Sequence, residues 1–169
     1  KKIPALGYGT WKLNDRDCES GVSLALETGY RHIDTAQAYG NETQVGKAIQ
    51  DSGISRKDIF LTTKIWMDNF SDDAFDASLD ESLRKLRTDY VDLLLLHWPS
   101  LDEKIEITLE RLMAAKEEGK TRLAGVSNYT VEQIDRAFAE TQGESITKQV
   151  EFHPFLDQTP VYERLLQND

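Results

Sequence analysis

Asp34, Tyr39, Lys64 and His97 stand at or just past the ends of three successive apolar segments, Tyr30-Arg-His-Ile-Asp-Thr-Ala36, Phe60-Leu-Thr-Thr-Lys-Ile-Trp66 and Leu93-Leu-Leu-Leu-His-Trp-Pro99. Together these residue types make a proton-transfer set. A tyrosine hydroxyl, with an ordinary pKa of about 10, is a poor acid at neutral pH until a neighbouring ammonium stabilises its phenolate. Lys64 can supply that charge. A buried lysine in turn needs a carboxylate, and Asp34 is of the right type for the role. His97 would orient a substrate carbonyl by donating a hydrogen bond. Any one of the four alone reads equally well as a satisfied strand end; four of them, after three consecutive repeats of one pattern, point to a site.

The segments between them alternate strand and helix patterns. A turn and short strand from Ile3 to Lys12 lead to a helix over about 15–27, and a strand follows at 31–36. Asn41-Glu-Thr-Gln44 has the form of a capping box opening a helix that stops near Gly53. After a strand at 59–65, Phe75, Leu79, Leu83 and Leu86 recur at helical spacing. The run Tyr90 to Trp98 does not alternate, which suits a parallel strand covered on both faces. Ser100-Leu-Asp-Glu103 forms a second capping box before a helix striped by Ile105, Leu109, Leu112 and Met113 and ended by Gly119. Two further units follow: a strand at 122–127 with a helix opened by Thr130-Val-Glu-Gln133, then a strand at 146–152 with a helix from about Pro160.

Six strand and helix units in unbroken alternation predict a parallel sheet with helical crossovers. An open doubly wound sheet and a closed eight-stranded barrel both have that alternation. A dinucleotide-binding open sheet would carry Gly-x-Gly-x-x-Gly after its first strand, whereas Gly7-Tyr-Gly-Thr-Trp-Lys12 lacks the third glycine. The barrel is therefore expected. Its sites gather at the C-terminal ends of the strands, where Asp34, Lys64, His97, Asn128 and Gln149 fall or nearly fall.

The 169 residues allow one domain with a real core, and 30 acidic against 20 basic side chains give a net charge of -10. That charge argues against a nucleic-acid or acidic-membrane surface and leaves a small molecule as the expected partner. A single cysteine, Cys18, cannot form an intramolecular disulfide, and no apolar run is long enough to cross a bilayer, so a cytoplasmic protein is expected. Cys18 shares helical spacing with Val22, Ala25 and Leu26 and reads as core. No cluster has metal-ligand spacing, and no metal is expected. His32 is expected to be a strand residue facing a helix, and His153, before Pro154, is assigned no catalytic role.

Taken in order, Gly9-Thr-Trp11, Ile33-Asp-Thr-Ala36 with Tyr39-Gly-Asn-Glu42, Thr62-Thr-Lys64, Leu96-His-Trp-Pro99, Gly125-Val-Ser-Asn128 and Gln149-Val-Glu-Phe-His-Pro154 resemble the aldo-keto reductase family over the whole chain. The short loop after Pro99 and the segment Leu83 to Asp92 are most similar to the bacterial 2,5-diketo-D-gluconate reductases that also reduce methylglyoxal. The resemblance implies an NADP-dependent oxidoreductase on a (β/α)8 TIM barrel. A nicotinamide cofactor, NADPH with NADH as the open alternative, would give hydride to an aldehyde or ketone. Tyr39 would protonate the alkoxide, tuned by Lys64 and Asp34, while His97 holds the carbonyl oxygen. It also implies that Ser127, Asn128 and Gln149 bind the nicotinamide carboxamide, with Thr10, Trp11 and Asp34 near its ribose. Trp11, Trp66 and Trp98 would wall the substrate pocket.

An eight-unit barrel typically needs about 250 residues, so residues 1–169 are expected to be one partial barrel, truncated after about six units and lacking β7 to α8. The family's loops after the seventh and eighth strands, which grip the cofactor's phosphates, have no counterpart here. The expectation is an active parent enzyme, monomeric at full length, with no activity expected of residues 1–169 alone. The alternative is a non-catalytic truncated barrel or a nucleotide-binding subunit of the same family.

Overall fold

The computed structural model describes residues 2–99, 105–141, 144 and 146–167. Among these residues six parallel strands alternate with six helices: β1 (Tyr8–Gly9), α1 (Asp15–Glu27), β2 (His32–Asp34), α2 (Glu42–Asp51), β3 (Phe60–Ile65), α3 (Asp72–Leu86), β4 (Val91–Leu96), α4 (Ile105–Glu117), β5 (Thr121–Ser127), α5 (Val131–Glu140), β6 (Thr147–Gln149) and α6 (Thr159–Gln167). Strand order follows the sequence from β1 to β6. Three one-turn 3-10 helices, Gln37–Tyr39, Arg56–Asp58 and Met67–Asn69, fill loops.

The sheet is curled. Four strand spacings separate β2 from β6, about 19 Å in a flat sheet, yet Gln149 Nε2 donates to Asp34 Oδ2 at 2.7 Å. Curling gives the strands an inside and an outside. Ile33, Leu61, Ile65, Leu94, Leu96, Ala124 and Val126 face outward and share one core with Cys18, Val22 and Leu26 of α1 and Phe75, Leu79 and Leu86 of α3. Inside, Phe60, Leu93 and Leu95 form a second cluster against Leu123. Every residue of β3 and β4 is buried, in β4 as its non-alternating apolar run predicts. Gly125 lets β5 and β6 approach: a Cβ there would lie 2.1 Å from Thr147 O.

Three expectations require correction or fall outside the description. His32 does not face a helix. It shares parity with Asp34, bonds Thr62 Oγ1 through Nε2 at 3.0 Å and meets the Phe60 ring edge-on inside the barrel. Asn41 precedes α2 but its side chain makes no cap. It is instead drawn into the core, donating to Thr10 O and Leu13 O and accepting from Thr35 Oγ1 at 2.8 Å. The capping box at 100–103 lies outside the described residues. The box at Thr130 and Gln133 is formed in both directions.

Candidate active site

The C-terminal ends of the strands carry the candidate residues because strand parity turns them inward and backbone bonds hold the rim in register. Asp34 closes β2, with its carbonyl accepting from Thr10 N at 3.0 Å. Lys64 stands next to last on β3, 1 % exposed. His97 follows β4, its N–H on Ile65 O at 3.1 Å. Tyr39 ends the Gln37–Tyr39 turn, which Gly40 closes in the left-handed conformation at φ 70°.

These four meet. Lys64 Nζ lies 2.5 Å from Asp34 Oδ1, 2.9 Å from Thr35 O and 3.3 Å from Tyr39 Oη. A buried ammonium thus has a carboxylate to neutralise it, and it presents its remaining donor to the tyrosine hydroxyl. The His97 ring meets Tyr39 edge-on at 5.5 Å between centroids and Trp66 at 5.3 Å. Burial, reinforced by the Lys64 charge, lowers the His97 pKa from 6.5 to about 4, so the imidazole is neutral at pH 7. Among the described residues its buried Nδ1 has no hydrogen-bond partner. Orphaned buried N–H groups are rarer than orphaned acceptors, which places the ring proton on Nε2.

A cleft of about 580 Å3 opens over this set, and Trp11, Tyr39, Trp66, His97, Trp98, Ser127, Asn128 and Gln149 line it. Asn128 adopts φ 64°, a conformation asparagine tolerates, and its Nδ2 donates to His97 O and Ser127 Oγ, both at 3.0 Å. The Asn128 Oδ1 and Gln149 Oε1 atoms are left as acceptors, and the Ser127 hydroxyl keeps its own proton to donate. A primary carboxamide has two N–H donors and one carbonyl acceptor, so the three side chains complement it.

Thr10 is not brought into the cleft. It is fully buried, and its hydroxyl contacts Asp34 O and Asn41 Oδ1 behind the site. Conversely, the cleft includes Ala38, Val150 and Glu151, which the sequence reading passed over although all three lie within or beside its motifs. Gln37 was also missed. It bonds the loop after β3 and helix α3 from a position two residues before Tyr39. Among the described residues no helix is long and apolar enough to cross a membrane, and no group of three or more His, Cys, Asp or Glu could hold a metal.

Comparison with known proteins gives the geometry its family context. Methylglyoxal reductase DkgB of Escherichia coli O157:H7 is 49% identical over 162 residues, which cover 94% of this chain and 61% of that protein. A crystal structure provisionally assigned as 2,5-diketo-D-gluconic acid reductase B superposes with a TM-score of 0.92 at 49% identity, covering 98% of this chain and 59% of that one. An aldo-keto reductase of Bombyx mori solved in complex with NADP gives a TM-score of 0.89 at 33% identity, covering 98% and 60%. The chain therefore spans about three fifths of the length of these relatives. The profile of the Aldo/keto reductase family matches residues 5–169, and this chain, with its curled sheet of six β/α units, belongs to that family.

Proposed function

We propose that the protein containing this chain is an NADPH-dependent carbonyl reductase acting on small aldehydes and ketones of the methylglyoxal or 2,5-diketo-D-gluconate type. The observation that carries this reading is the Lys64 ammonium, which bonds Asp34 Oδ1 at 2.5 Å and Tyr39 Oη at 3.3 Å at the floor of the cleft. When bound, the nicotinamide supplies hydride to the carbonyl carbon. Ser127, Asn128 and Gln149 are the residues that would hold its carboxamide. His97 Nε2–H donates to the carbonyl oxygen and orients it. Tyr39 then gives its proton to that oxygen as negative charge develops, and the Lys64 ammonium stabilises the phenolate left behind. Asp34 is the counter-ion of this buried lysine. Trp11, Trp66 and Trp98 line the cleft around these groups and favour small, partly apolar substrates.

The six β/α units belong, in this reading, to an eight-unit barrel of the length its relatives have. Phe152, Phe155, Tyr162 and Leu166 around β6 and α6 are exposed here and would pack against the further units. The protein would work in the cytoplasm as a monomer.

The test is Tyr39→Phe in the full-length protein. NADPH oxidation with methylglyoxal is expected to fall at least about 100-fold, the order of a lost general acid, with cofactor affinity by fluorescence titration unchanged. Normal turnover would remove Tyr39 from the acid role. A wild-type protein that binds NADPH and turns over no carbonyl would instead favour the non-catalytic subunit.

A further inference from the structure

We propose that Gln37 is a positioning residue for carbonyl reduction: its carboxamide clamps the Tyr39 turn to the Trp66 backbone and to α3, and so fixes the general acid against His97 and the pocket wall. The inference rests on the reductase reading above.

Gln37 opens the single 3-10 turn that ends at Tyr39. Its Oε1 accepts from Trp66 N at 2.9 Å and Asn69 Nδ2 at 3.0 Å, while its Nε2 donates to Ser78 O and Ser82 Oγ, both at 3.1 Å. Two acceptances and two donations saturate an amide. The orientation follows from the partners, because Trp66 N can only donate and Ser78 O can only accept. The tether continues inward: Ser82 Oγ donates to Glu42 Oε2 at 3.2 Å, and Glu42 Oε1 accepts from Thr63 Oγ1 at 2.6 Å. Thr63 adjoins Lys64 on β3. The chain of bonds therefore starts beside Tyr39, passes through α3 and the first turn of α2, and returns beside the lysine that Tyr39 faces. Its anchor, Glu42, is 2 % exposed, and burial raises its pKa.

Two observations distinguish positioning from ordinary stabilisation. Tyr39 and Trp66 both meet the His97 ring edge-on in front, so a tie between their loops behind fixes all three against one another. Behind the turn lies a cavity of about 250 Å3 lined by Gln37, Glu42, Trp66, Asn69, Ser82 and Lys85 among others. With the clamp cut, the turn has space to relax into, and a displacement of about 1 Å in a catalytic group can cost about 100-fold in rate. The carboxamide-binding set, Ser127, Asn128 and Gln149, takes no part in the clamp.

Gln37→Met in the full-length protein keeps the length of the side chain and removes all four bonds. The kcat with methylglyoxal is expected to fall at least about tenfold while the NADPH dissociation constant, from fluorescence titration, stays within about twofold. Asp92→Asn, at the opposite end of the strands, serves as the comparison: it lowers the melting temperature and leaves kcat within about twofold of wild type. A Gln37→Met protein with wild-type kcat overturns the proposal, and so does an equal loss of kcat in Asp92→Asn. If Gln37→Met does not fold, Asn69→Ala combined with Ser82→Ala removes one bond from each side of the amide. That protein is expected to lose about threefold or more in kcat at unchanged NADPH affinity, and wild-type kcat there overturns the clamp. Absence of carbonyl reduction in the wild-type protein would overturn the reductase reading itself, a result distinct from unaltered kcat in an active background.

Discussion

The ion pair inside the barrel makes an asymmetric prediction. Lys64 is 1 % exposed and Asp34 16 % in their side chains. Asp34→Asn leaves an ammonium in the interior with Thr35 O at 2.9 Å and Tyr39 Oη at 3.3 Å as its neutral partners. Breaking a buried pair from this side is expected to cost about 3–5 kcal/mol, because the surviving charge has neither water nor a counter-ion. Lys64→Met leaves the less buried partner, and Gln149 Nε2 still donates to its other oxygen at 2.7 Å. That loss should be about 1–3 kcal/mol. The double variant holds no unpaired charge and should be no less stable than Asp34→Asn alone, so the coupling between the sites should be at least the Lys64→Met loss, about 1 kcal/mol or more. Urea unfolding of the four full-length proteins at pH 7, followed by two probes and extrapolated linearly, measures this cycle. Single losses that add to within about 0.5 kcal/mol would refute the pairing. A Lys64→Met protein less stable than Asp34→Asn would refute the argument from exposure.

Two further outcomes follow from other parts of the structure. Asp92 is fully buried between Arg56 and Arg122, at 2.8 and 3.1 Å, with Leu61 N on one of its oxygens. Asp92→Asn should lower stability by about 2–4 kcal/mol, less than a wholly buried pair because both arginines reach solvent; a change below about 0.5 kcal/mol by urea unfolding would contradict the contacts. His97 is neutral in the folded protein down to about pH 4, whereas an unfolded chain takes up the proton near 6.5. The unfolded state therefore binds more protons across that window, and stability falls as pH drops through it, by at most about 3 kcal/mol. His97→Gln should show a correspondingly shallower decline between pH 6.5 and 4; parallel unfolding curves across the series would show that the ring is not buried beside Lys64 as described.

Local periodicity carried most of the fold. The stripe Cys18, Val22, Ala25 and Leu26 is buried, α1 spans the expected residues, and the box at Thr130 forms because its two members lie three residues apart and each bonds the other's backbone. Asn41 failed the same reading for a physical reason: it is 2 % exposed, and Thr10, Leu13 and Thr35 compete for its amide from other segments. His32 faces inward for a reason that strand parity carries. Residues two apart on a strand share a face, so an inward Asp34 required an inward His32. The pairing of Asp34, Lys64 and Tyr39 was legible from residue type and strand position. The clamp at Gln37 was not, since its four partners come from a loop and a helix 29 to 45 residues away.

The bond between Asp34 and Gln149 was equally hidden, being 115 residues long in sequence and dependent on the curl of the sheet. Its consequence reaches the proposed chemistry. One Asp34 oxygen takes Lys64 and the other takes the Gln149 amide N–H, so the carboxylate that neutralises the lysine also dictates which end of Gln149 remains for a ligand. A carboxylate can only accept; Gln149 must therefore keep Oε1 as its unused group, the correct one for a carboxamide N–H. The residues proposed to move the proton and those proposed to hold the nicotinamide are thus joined through a single side chain. Anything that flattens the sheet separates β2 from β6 and breaks that join. The barrel's curvature is for this reason part of the site as well as its support.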